Sequence, residues 1–168
     1  MAKEKNLEDL FHETLKDIYY AEKKILKTLP KMMKGAQSDE LKMAFEKHQQ
    51  ETEMQVDRLE QVFEMIGKPA RGKTCDAIEG IVSEGEEIMQ DFKGTQALDA
   101  GLISAAQAVE HYEITRYGTL KRWANELGMS DAATLLDESL KEESKTDSDL
   151  TRLADMFANQ RAKQRSAA

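Results

Sequence analysis

The chain has 168 residues, 33% of them charged against 6% aromatic, and a formal net charge of −8. That length fits about one domain with a sizeable core, and the acidic balance excludes duplex nucleic acid and anionic membrane as main partners, because both reward clustered Lys and Arg. With no run of about 18 apolar residues and no apolar signal core in MAKEKNLEDLFHETL, no membrane association is expected and the location is read as cytoplasmic.

Prolines limited to Pro30 and Pro69, together with few aromatics, favour long amphipathic helices over sheet, so the fold class is read as all-α. The first helix is predicted over 7–34. Asn6 is a suitable N-cap, apolar residues recur from Leu7 and Phe11 through Ile18, Ile25 and Leu29 to Met32, and Gly35 ends the run. Glu22 stands between Ile18 and Ile25 on the apolar face, and Pro30 should kink the last turn. A short connection leads to a second helix over 39–66, whose stripe runs Leu41, Phe45, His48, Thr52, Gln55, Leu59, Val62 and Ile66. Its middle is polar, with His48, Glu51 and Gln55 on or beside the inward face. So short a link makes the pair an antiparallel hairpin.

Residues 68–97 read differently: a basic loop, then a shorter helix over 75–92 with Ile78, Ile81, Val82 and Ile88 toward the bundle. A third long helix is predicted over 96–127. Val109, Glu113, Tyr117, Leu120 and Ala124 share its inward face, with Glu110 at the edge. Gly128 ends it and Ser130 opens the fourth helix, over 131–159, whose stripe carries Glu143 and Asp147 among Leu136, Leu140, Leu150, Ala154 and Phe157. Residues 161–168 read as a frayed tail. Two tight hairpins joined by a long crossover is the connection pattern of a ferritin-like four-helix bundle, here one domain over 1–168 with a short extra helix in the crossover.

The hairpins also repeat each other chemically. Glu51 with Gln55 mirrors Glu143 with Asp147, and four residues on a helix offset two side chains by about 40°, so both members of a pair can face one point. The set Glu22, Glu51, Gln55, Glu110, Glu113, Glu143 and Asp147 is read as metal-ligating, with His48 as a neutral ligand or a hydrogen-bonded neighbour of one. Tyr117 is placed beside it, able to hydrogen-bond a ligand or simply to pack. Each acid taken alone is as well explained as a solvated glutamate in a chain with 32 acidic residues; four helices each placing one at comparable depth single the set out. Oxygen-rich ligation suits hard or borderline ions such as Fe, Mn, Mg or Ca, and two divalent cations, Fe first and Mn second, would balance the charge. His12, His111 and Trp123 read as surface or packing residues. Cys75, the sole cysteine, allows no intrachain disulfide.

Nearly the whole chain resembles the YciE/YciF family of bacterial stress-induced ferritin-like proteins. The landmarks are DIYYAEKKIL around Glu22, QETEMQVDRLEQVF around Glu51, CDAIEGIV from Cys75, AVEHYEITRYGTLKRWANELG around Glu110 and Glu113, and LLDESLKEESKTDSDLTRLA around Glu143 and Asp147. The resemblance implies a dinuclear metal motif, a homodimer and induction under stress, with no settled reaction. Where the wider ferritin pattern of Glu-x-x-His would place histidines, this chain has Met54 and Thr146, which leaves a nearly all-oxygen ligand set. Peroxide consumption, catalase-like or ferroxidase chemistry, and iron handling are the active readings; the alternative is a non-catalytic structural or interaction protein whose ion only stabilises the bundle. No storage shell is expected, since nothing after Phe157 resembles a further packing helix.

Overall fold

The structure, a computed structural model, describes residues 4–164. Its elements are α1 (Leu7–Gly35), α2 (Asp39–Met65), α3 (Asp76–Asp91), α4 (Leu98–Glu126) and α5 (Ser130–Leu153), after which a π-helical turn (Ala154–Ala158) leads into the short α6 (Asn159–Ala162). No strand occurs among the described residues. Helices expected at 7–34, 39–66, 75–92 and 96–127 are found with ends within two residues of those limits. The last one differs. Its π turn inserts extra backbone into the helical track, so the inward stripe slips by one position and Ala158 is buried where spacing pointed to the half-buried Phe157. Of the tail expected to fray at 161–168, Ala162 still belongs to α6, and 165–168 lie outside the described residues.

Helix ends follow local chemistry. Asn6 Oδ1 accepts from Asp9 N at 3.1 Å while Asp9 Oδ2 accepts from Asn6 N at 3.0 Å, a reciprocal cap that satisfies two otherwise orphaned amides. Ser38 Oγ caps α2 at Leu41 N, 3.3 Å away. Both α2 and α4 run into a glycine of positive φ, Gly67 at 64° and Gly128 at 72°, a left-handed turn that side chains disfavour. Pro30 sits inside α1 without ending it.

Packing closes a ring: α1 lies along α2, α2 against α5, α5 along α4, and α4 against α1. The crossover carries α3 over α1 and α4. On the α1 side it is strapped by the Tyr20 hydroxyl donating to Glu79, by Lys24 to Glu79 at 2.9 Å and by Lys31 to Glu86 at 3.0 Å. Against α4 the backbones come close, and a Cβ on Gly101 would stand 2.6 Å from Ile88 Cγ2. Asp99, buried in the first turn of α4, ties the hairpins together by accepting from Gln37 N at 2.7 Å and Ser38 N at 2.9 Å in the α1–α2 turn.

Along the bundle the core is apolar at both ends and polar between them. Phe11, Leu15, Leu59, Phe63, Leu120 and Leu136 fill one end; Leu29, Leu41, Phe45, Leu102 and Leu150 fill the other. Each such side chain stabilises the fold by about 1.5–3 kcal/mol on burial. The intervening band buries Glu22, His48, Thr52, Gln55, Glu110, Glu113, Ser139, Glu143 and Thr146. An unpaired ionised carboxylate there costs several kcal/mol, so the band needs its own compensation.

Candidate metal centre

Glu22 from α1, Glu110 and Glu113 from α4, and Glu143 from α5 are each at most 1% exposed, and α2 contributes His48 and Gln55, which are also buried. One donor atom from each of His48, Glu110, Glu113 and Glu143 lies within 4.8 Å of the others, a group that could hold a metal ion. His48 Nδ1 is 2.9 Å from Glu110 Oε1, while Nε2 is 4.0 Å from Glu113 Oε2 and 3.9 Å from Glu143 Oε2. Donors that share one ion at ~2.1 Å stand roughly 3–4 Å apart, so these spacings fit a common cation. The Nδ1 approach is off-line for a good hydrogen bond, because Glu110 Oε1 has no hydrogen-bonded partner. His48 Nε2 is likewise unpartnered and faces Glu113 and Glu143.

Two further groups are oriented from outside the cluster. Glu22 Oε1 accepts from the hydroxyl of Tyr117, which is wholly buried, and leaves Oε2 without a partner. The Gln55 amide nitrogen donates to Glu142 Oε2 at 3.1 Å, and Glu142 is itself held by Arg58 through Nη1–Oε2 at 2.7 Å and Nη2–Oε1 at 2.8 Å. With its nitrogen committed to that clamp, Gln55 keeps its Oε1 buried and unpartnered. Both oxygens of Glu110 and of Glu113, and Glu143 Oε1, are likewise orphaned. Among the described residues no Lys or Arg pairs with Glu22, Glu110, Glu113 or Glu143; His48 alone faces the last three. Native interiors seldom leave such atoms unsatisfied, and a set made of carboxylate oxygens, one amide oxygen and one imidazole is donor chemistry that could hold a metal ion.

The acids respond to this crowding. Burial, and after it the charge of Glu143, pushes Glu22 up to about 8 despite the Tyr117 hydrogen bond. Burial likewise raises Glu110 to about 8, and lifts Glu113 and Glu143 well above the carboxylate range, each helped by its acidic neighbours. Tyr117 is also raised well above its usual value by burial and then by Glu22. Glu22 and Glu113 perturb each other, as do Glu110 and Glu143, so the four respond as two neighbouring carboxyl pairs.

Of the sequence-derived set, the structure therefore brings Glu22, Gln55, Glu110, Glu113 and Glu143 into the interior around His48. Glu51 and Asp147 stand at the rim. Glu51, 15% exposed along its side chain, pairs with Lys47 at 2.9 Å and accepts from Thr146 Oγ1 at 3.2 Å. Asp147 accepts from Gln107 at 3.1 Å and faces the exposed His111 at 3.2 Å. Both remain near enough to raise Glu110 further. Glu110, read as an edge residue, is wholly enclosed because α4 is covered on one side by α5 and on the other by α1 and α3. The Arg58–Glu142 clamp went unread in the sequence; Glu142 looks like any charged neighbour of Glu143. Cys75 is buried, its Sγ 3.0 Å from the Tyr112 hydroxyl, and Trp123 packs against the core.

DUF892, described as a domain of unknown function, matches residues 6–163. Protein YciF of Escherichia coli K12 is 41% identical over 159 residues, spanning 94% of this chain and 96% of that protein. The crystal structure of the E. coli stress protein YciF matches with a TM-score of 0.88 at 41% identity, covering 93% of this chain and 99% of that one. YcfI of Rhodopseudomonas palustris, described as a presumed structural protein, matches with a TM-score of 0.86 at 41% identity, covering 90% and 97%.

Proposed function

The chain belongs to the DUF892 family, and on that premise we propose that it is a bacterial stress protein, like E. coli YciF, that works through a dinuclear Fe or Mn centre in the bundle core. The observation that carries this reading is the set of buried, unpartnered oxygens on Glu22, Gln55, Glu110, Glu113 and Glu143 around His48 Nε2. Two carboxyl pairs rather than one favour two ions, each neutralised by about two negative charges. His48, Glu110, Glu113 and Glu143 would hold one ion, with Glu22 and Gln55 extending the set to a second and Glu51 and Asp147 at the rim. Bound Fe or Mn supplies redox turnover, which suits peroxide consumption or iron handling. We place the protein in the cytoplasm as a homodimer without a storage shell; no helix among the described residues is long and apolar enough to cross a membrane.

Proton bookkeeping tests it. With Glu22 and Glu110 raised to about 8 and Glu113 and Glu143 also raised well above the carboxylate range, the metal-free cluster holds several protons at pH 7, and cations must displace them. Calorimetric titration of Fe(II) or Mn(II) in buffers of different ionisation enthalpy should register two or more protons released per chain at pH 7 and fewer at pH 9. Titrations without heat, proton release or a rise in Tm would remove the proposal. The non-catalytic reading, in which ions only brace the bundle, draws on the closure of the site from solvent and on the description given to YcfI. It predicts the same release with no turnover of peroxide or oxygen by the loaded protein.

A further inference from the structure

Two small cavities lie side by side between α1, α3 and α4, each offering about 20 Å³ to the centre of a water-sized sphere. Such a space admits one small molecule. Thr28, Met32, Val82 and Val109 line both, so the cavities adjoin. The inner one continues past Ile25 and Ala106 to His48. The outer one continues past Gly85, Ala105 and Met89 to Glu86, whose carboxylate is held by Lys31 at the α1–α3 edge. Together they span the interval from that edge to the imidazole of the candidate centre. Gly85 and Ala105 face each other closely in the outer lining, where a Cβ on Gly85 would stand 3.4 Å from Ala105 Cβ.

The lining decides what can occupy this space. Thr28 spends its hydroxyl on Lys24 O at 2.9 Å, and the remaining shared residues are apolar. Water in a cavity needs two to four polar partners, and hydrogen peroxide, with two donors and four lone pairs, needs as many. An anion would lose its hydration with nothing in return. An apolar diatomic gas loses nothing. We propose that the paired cavities are a binding site and passage for dioxygen, leading from the α1–α3 edge to His48. What the gas would serve there rests on the metal reading above; the existence of the gas site does not.

Crystals of the full chain pressurised with xenon, an apolar probe of similar size, should show anomalous peaks in both cavities. Val82→Phe and Ala105→Leu, which fill them from α3 and from α4, should abolish the peaks, and either variant suffices if the other fails to fold. Loaded with Fe(II), the filled variants should consume dissolved oxygen at least tenfold more slowly than the unaltered protein, with Fe(II) affinity and the response to hydrogen peroxide unchanged. No xenon in the unaltered protein overturns the proposal, as does equal slowing with both oxidants or an unaffected oxygen rate. Xenon peaks in a chain that takes up neither Fe(II) nor Mn(II) would sink the metal reading while upholding the gas site.

Discussion

Glu113→Gln should lose the metal-induced rise in Tm and, at the same time, raise the Tm of the metal-free protein at pH 8. Both effects come from one buried acid. On the proposed reading Glu113 would be an anionic ligand in a closed site, and an amide in its place should lower the affinity by about two orders of magnitude or more, a larger loss than the roughly 10–100-fold typical of residues that only support a ligand. At 100-fold saturation a cation adds about 2.7 kcal/mol of stability, roughly 5–11 °C for a chain of this size, and that increment disappears. In the metal-free protein the sign reverses. The folded-state pKa of Glu113 is raised well above its unfolded value by burial and then by the charges of Glu143 and Glu22. A raised carboxyl lends its full contribution only below the unfolded pKa of about 4.3, and the contribution is lost as pH climbs through the folded value.

Within that window each proton held in excess by the folded state lowers stability by about 1.4 kcal/mol per pH unit, or roughly 3–6 °C. Glutamine cannot ionise, so the decline of metal-free Tm from pH 5 to 9 should be shallower in the variant, and the gap between the two proteins should widen with pH. It should not vanish, because Glu22, Glu110 and Glu143 still titrate. Thermal unfolding at several pH values, with and without Mn(II), measures both arms. A variant less stable than the parent at every pH would mean that Glu113 is tied up by some neighbour in the folded chain, and that the orphaned oxygens have been misread.

Asp99→Ala should be the most damaging single change outside the polar band. Its carboxylate accepts two backbone amides, Gln37 N at 2.7 Å and Ser38 N at 2.9 Å, and so fixes the α1–α2 turn against the start of α4. Hydrogen bonds to charged groups contribute about 1.5–3 kcal/mol each, and the amides left behind would be only partly hydrated. A loss of about 3–5 kcal/mol follows, roughly 10 °C in Tm. Asp99→Asn keeps one acceptor and turns an NH₂ toward the other amide, so it should recover less than half of the loss. Because Ser38 also caps α2, amide exchange in the first turn of α2 should rise more than exchange in α3. A drop of under 2 °C for the alanine variant would show that the turn holds its shape without this tie.

What could be read from residues alone follows the range of the interaction. Helix ends were legible because their causes are local: Asn6 with Asp9, and the glycines at 67 and 128 whose positive φ ends a helix within a few residues. The inward phase of Glu22 and Glu113 was legible for the same reason, since each has apolar neighbours a turn away on its own helix. Which of two residues four apart turns fully inward was not. Glu51 and Asp147 lie about 40° from Gln55 and Glu143 on their own helices, and only the packing of α2 and α4 around α5 sends the first pair to the rim and the second inside. His48 is surrounded by carboxylates because α4 and α5 present theirs to it across the bundle, a contact between segments more than sixty residues apart. The Asp99 tie and the Arg58–Glu142 clamp are equally long-range, and the π turn after Leu153 shifts a stripe that spacing alone would extend unbroken.

Anomalous diffraction from crystals grown with Fe(II) or Mn(II), recorded on both sides of each metal's absorption edge, bears most directly on the central claim. Two peaks are expected inside the bundle, within bonding distance of His48 Nε2 and of carboxylate oxygens from Glu22, Glu110, Glu113 and Glu143. Well-diffracting crystals with no anomalous peak there, and with those oxygens paired to one another through shared protons, would contradict it.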